Sequence, residues 1–107
     1  MSDKVLDFLG QTIMHKVRDV TISNIDMIIN GKMKGDEAKA IREMLVDFNP
    51  KQIEILKRII PRIVDRTLHN FLWMIEQEDD IDLLINSESG FLSAKELSDG
   101  LTGELYS

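Results

Sequence analysis

A chain of 107 residues has the length of one compact domain and no room for a second core. With 43% hydrophobic and 30% charged residues, it is too apolar for intrinsic disorder. The absence of cysteine excludes a disulfide framework, thiolate metal ligation and a cysteine nucleophile.

No apolar run approaches the ~18 residues of a membrane span, and Met1-Ser2-Asp3-Lys4 opens neither a signal nor a transit peptide. A soluble, cytoplasmic protein is expected. The formal charge of -6 is unevenly placed: residues 1–70 carry 12 basic and 10 acidic side chains, whereas residues 71–107 set Lys95 alone against 9 acidic ones. Such asymmetry fits an acidic surface aimed at a basic partner, or an acidic segment folded onto the chain's own basic face.

From Asp3 to Asn30, Val5, Leu6, Leu9, Ile13, Val17, Val20, Met27 and Ile28 fall on one side of a helical wheel, with Lys4, Gln11, His15 and Arg18 opposite. This predicts a long amphipathic helix that ends at Asn30-Gly31. Asp36 can cap a second helix, with Ala38, Ile41, Leu45 and Phe48 as its stripe. Asn49-Pro50 then closes that helix and opens a third, with Asn49 as cap and Pro50 at the first helical position.

The third helix should run from Pro50 to about Gln77. Its expected core stripe is Ile53, Leu56, Ile60, Ile63, Val64, Thr67, Leu68, Phe71 and Ile75, and that register continues through Pro61, so a bend there is expected rather than a break. The run Ile81 to Ile85 is too short to separate helix from strand, and helix is the expectation. Ser93 and Glu96 form a capping box for a last short helix, stopped at Asp99-Gly100. The ending Leu105-Tyr106-Ser107, without a cap or polar tail, is what a chain cut from a longer one would show.

On the polar side of the third helix, Arg58, Arg62, Arg66, His69 and Trp73 project from one strip at spacings of 4, 4, 3 and 4. Guanidinium groups pair with phosphates and an indole offers a stacking face, so the strip is a candidate nucleic-acid face. Its plainer reading is a solvated arginine face whose tryptophan is covered by the acidic last third. Glu76, Glu78, Asp79, Asp80 and Asp82 form the candidate acidic surface. They lack the paired motifs of a magnesium site. His15 and Asp19 sit one turn apart as a surface ion pair, and no Glu-x-x-His motif supports a di-metal bundle. No phosphate-binding, dinucleotide or calcium motif is present. No cofactor or metal is expected.

Arg62 and His69 resemble the arginine, four to six residues, histidine spacing of HEPN-type ribonucleases, which are small all-helical proteins. A polar residue normally follows the arginine in that family, and here Ile63 does. The resemblance implies phosphate-holding Arg62 and general acid-base His69. The stretch Glu96 to Tyr106, together with Arg66-Thr67-Leu68-His69, resembles segments of small uncharacterised bacterial all-helical proteins, some from toxin-immunity contexts. That resemblance implies a bacterial or phage origin and no defined activity.

The expectation is an all-α domain over residues 1–107. A bundle of three main helices occupies residues 1–78, the third kinked at Pro61, and a short acidic helical region over residues 79–107 covers one side. The expected function is non-enzymatic protein interaction, of the inhibitor, immunity or antitoxin type, through the acidic surface and with a basic protein as partner. The alternative is nucleic-acid binding or cleavage on the arginine strip. Membrane association is not expected, and self-association is left open.

Overall fold

The computed structural model describes residues 2–98 and 100 of the chain, which are mostly helical with one small two-stranded sheet. The first helical stretch comprises α1 (Ser2–Ile13), a π-helical turn (Met14–Arg18) and α2 (Asp19–Ile29), with no break between them. The Asp19 amide donates to the Met14 carbonyl, five residues back. A π turn takes up more residues than an α turn, so the side-chain register shifts across it.

That shift corrects the expected stripe. Leu6, Leu9 and Ile13 point into the protein as expected, but from the last residue of the π turn onward the half-buried to buried positions are Arg18, Thr21, Ile22, Ile25, Ile28 and Ile29. Val17, Val20 and Met27 are exposed instead. At the end of α2, the Lys32 amide donates to Met27 O at 2.8 Å and the Gly31 amide to Ile28 O at 3.1 Å. This Schellman pattern requires a left-handed residue at Gly31, whose φ is 76°.

The next helix, α3 (Asp36–Met44), packs on α2 and buries Ala38. Its cap is Gly35 rather than Asp36. Asp36 and Glu37 occupy the first turn, where carboxylates complement the helix dipole. Because α3 stops at Met44, Phe48 lies beyond it and is exposed, off the expected stripe.

The long helix α4 (Pro50–Gln77) has the expected bounds and passes through Pro61 without interruption. Its start is a full capping box: Asn49 Oδ1 accepts from the Gln52 amide at 2.9 Å, and Gln52 Oε1 accepts from the Asn49 amide at 2.8 Å. Lys57 Nζ donates to Asn30 Oδ1 at 2.8 Å, which ties α4 to the end of α2. The inward positions are Ile53, Leu56, Ile60, Val64, Leu68, Leu72 and Ile75, so the expected stripe holds in part. Ile63, Thr67 and Phe71 are exposed, while Leu72, not anticipated, is the most deeply buried large side chain at 0% exposure.

After α4 the chain departs from the all-helical expectation. Strands β1 (Leu84–Ser87) and β2 (Gly90–Ser93) pair antiparallel, with Ile85 opposite Leu92 and Asn86 opposite Phe91. The turn between them is closed by Gly90 at φ 99°, a conformation that costs glycine little. A single helical turn, α5 (Ala94–Leu97), follows, with Ser93 Oγ accepting from the Glu96 amide at 3.2 Å. The expected stop at Asp99 falls outside the described residues.

Leu6, Leu72, Ile75 and Ala94 form one buried cluster, flanked by Leu9, Ile13, Met74, Leu83, Ile85 and Leu97. The core therefore joins α1, the carboxyl end of α4, the hairpin and α5. The molecule is long and thin, 52 × 24 × 23 Å with a radius of gyration of 17.5 Å, against about 13 Å for a compact chain of this length. No described helix is long and apolar enough to cross a membrane.

Candidate interaction site

The acidic residues separate into structural and free groups. Asp82 accepts a hydrogen bond from the Ser93 hydroxyl and another, at 2.7 Å, from the Leu83 amide. Its carboxyl is held below the ordinary value of 3.8, mainly by the Ser93 hydroxyl; slight desolvation of this exposed group opposes this, while the Leu83 amide and Lys95 add to it. Lys95 Nζ donates to the carbonyls of Glu78 at 2.6 Å and Ile81 at 2.8 Å. Asp82, Ser93 and Lys95 thus clasp the loop after α4 to the hairpin. Glu76 is half-buried in the last turn of α4, whereas the Glu78, Asp79 and Asp80 side chains are exposed around the end of that helix.

Large apolar side chains are exposed on the same third of the chain as these carboxylates. Strand pairing places Leu84 and Phe91 on the same face of the hairpin, away from half-buried Ile85 and Leu92, and both are exposed, Phe91 at 72%. Ile81, next to Asp80, and Trp73, one turn before the end of α4, are exposed as well, the tryptophan at 55%.

The arginine strip is open. Arg58, Arg62 and Arg66 are exposed and His69 is half-buried. Arg58 Nη2 donates to Glu54 Oε1 at 2.7 Å within the helix, and Arg62 and Arg66 have no ion-pair partner among the described residues. Among the described residues the acidic third does not cover this strip: α5 packs on α1, because Leu83, Ile85, Ala94 and Leu97 bury against Leu6, Leu72 and Ile75. His15 Nδ1 and Asp19 Oδ2 are 3.3 Å apart on the surface, the pair their spacing implied.

A second row was not anticipated. Ile55, Ile59 and Ile63, four residues apart, are exposed on the outer side of α4, offset by three positions from Arg58, Arg62 and Arg66. The signal for it was that apolar residues on α4 span more of the wheel than one core-facing stripe needs.

No family model, curated protein or solved structure matches the chain.

Proposed function

We propose that the protein is a non-enzymatic interaction module that recognises a basic protein surface through its acidic carboxyl end, as an inhibitor, immunity protein or antitoxin does. The observation that carries this reading is that the carboxyl third exposes Glu78, Asp79 and Asp80 together with the large apolar side chains of Trp73, Ile81, Leu84 and Phe91. Aromatic and aliphatic anchors inside a charged rim are the usual anatomy of a protein interface, and the rim charges steer a cationic partner.

The chain's single tryptophan reports on this site. Titration with an amphipathic lysine-leucine peptide should shift Trp73 emission to the blue, more weakly as salt is raised. The triple reversal of Glu78, Asp79 and Asp80 to lysine should abolish the shift with unchanged helix content. An unchanged titration curve in that variant would overturn the reading.

A second reading draws on the open strip: exposed Arg62 and Arg66 beside Trp73 would suit single-stranded RNA. It predicts salt-dependent binding of an RNA oligonucleotide that Arg62→Ala and Arg66→Ala weaken, and, for the ribonuclease form of the reading, cleavage lost in His69→Ala. Absence of both binding and cleavage eliminates it.

A further inference from the structure

Ile55, Ile59 and Ile63 are exposed along α4, and Lys51, Arg58, Arg62 and Arg66 are exposed on the same helix. At 3.6 residues per turn, all of them fall within about 140° of the helix circumference, opposite the stripe that packs inward. The acidic groups of this stretch, Glu54 and Asp65, lie past Arg58 on the wheel. There Glu54 accepts from Arg58, and Asp65 accepts from Arg18. Within α4, a basic edge therefore runs alongside an apolar one and no carboxylate separates them.

We propose that this face of α4 docks on the surface of an anionic phospholipid bilayer. The two edges select this occupant together. Arginine heads meet the lipid phosphates and carboxylates, while their stems and the isoleucines enter the boundary between headgroups and acyl chains. Single-stranded RNA would satisfy the arginines, but three aliphatic side chains offer its bases no stacking face. A second copy paired through the same face would double the positive charge at the contact.

The absence of a helix able to cross a membrane does not bear on this, because α4 lies along the surface rather than through it. Nor does the acidic carboxyl end oppose the contact. About 17 Å of helical rise separate Arg66 from the end of α4, where the free carboxylates begin, and charges are screened over about 8 Å at physiological salt. The docking is independent of the role proposed for that end.

The test is sedimentation of the full chain with sucrose-loaded vesicles, either phosphatidylcholine alone or phosphatidylcholine and phosphatidylserine in equal parts. Binding to the mixed vesicles is expected, weakening as salt is raised, with partition onto phosphatidylcholine alone lower by about tenfold or more. Arg62→Ala with Arg66→Ala should weaken partition onto the mixed vesicles about 25-fold, at roughly fivefold per arginine, and flatten its salt dependence. Ile59→Ser with Ile63→Ser should weaken it about tenfold or more and leave the salt dependence as steep.

Circular dichroism of each variant establishes that the fold persists, and the wild-type comparison of the two vesicles stands without either. No binding to the mixed vesicles, or equal binding to both kinds, overturns the docking, as does binding that the isoleucine variant leaves unchanged. A chain that ignores vesicles but binds a single-stranded RNA oligonucleotide through Arg62 and Arg66 assigns the face to RNA and overturns it too. Titration with the lysine-leucine peptide reads the acidic end separately, so failure of one leaves the other standing.

Discussion

Arg18 Nε donates to Asp65 Oδ1 at 2.6 Å, joining the last residue of the π turn to the middle of α4. The wheel placed Arg18 on the polar side of the first helix. The π turn rotates it toward α4, where its side chain is only a quarter exposed. The pair thus holds the helices together at the point where the register shifts.

A double-mutant cycle with Arg18→Ala and Asp65→Ala should give a coupling of about 1 kcal/mol, above a fully exposed pair and well below a buried one. Urea titration of the four proteins measures it. A coupling near zero would mean that the π turn, not the pair, fixes the helix register.

The core makes a sharper contrast between adjacent residues. Leu72→Ala should cost about 2 to 5 kcal/mol, because a fully enclosed side chain leaves a cavity. Phe71→Ala should cost about 0.5 kcal/mol or less, since the ring is half exposed. Equal losses in the two variants would refute the observed orientation of the carboxyl half of α4.

Pro61 has no amide proton to offer the Lys57 carbonyl, yet α4 passes through it. Pro61→Ala should keep the fold and change stability by no more than about 1 kcal/mol, since a regained hydrogen bond is offset by a more flexible unfolded chain. A change in helix content would show that the proline shapes the helix.

The Asp82 clasp predicts a pH dependence of definite sign. A carboxyl held below its unfolded value favours the folded state above pH 3.8, and the benefit disappears as pH falls through the lower folded value. Asp82→Asn should therefore destabilise the hairpin more at pH 6 than at pH 3. Amide exchange of Leu84 to Ser93, measured at both values, checks it. A constant difference between the proteins at both pH values would assign the effect to geometry rather than charge.

The legible parts of the fold were those marked by local chemistry. Asn49, Pro50 and Gln52 mark the start of α4, and Asn30-Gly31 marks the end of α2, because caps are short-range hydrogen-bonding devices. The hairpin was missed because Ile81 to Ile85 is too short for periodicity to decide. The sequence Ser87-Glu88-Ser89-Gly90, lying between Leu84-Ile85 and Phe91-Leu92, was the available turn signal. The π turn has no sequence mark that separates it from an α turn, and Val17, Val20 and Met27 were misphased as a result. Of the candidate site, the carboxylates and arginines were legible as charges. Which of them are free depends on where the hairpin docks, a tertiary matter.

The distribution of buried residues bears on how the protein comes apart. Leu6, Leu72, Ile75 and Ala94 enclose one end, while buried Ile28 and Ala38 lie outside that cluster, on α2 and α3. Between them the helices are held by half-buried side chains and by polar links such as Arg18 to Asp65. The two ends can therefore open independently. Hydrogen exchange would show two protection levels along α4, one per end, where a single cooperative unit would show one.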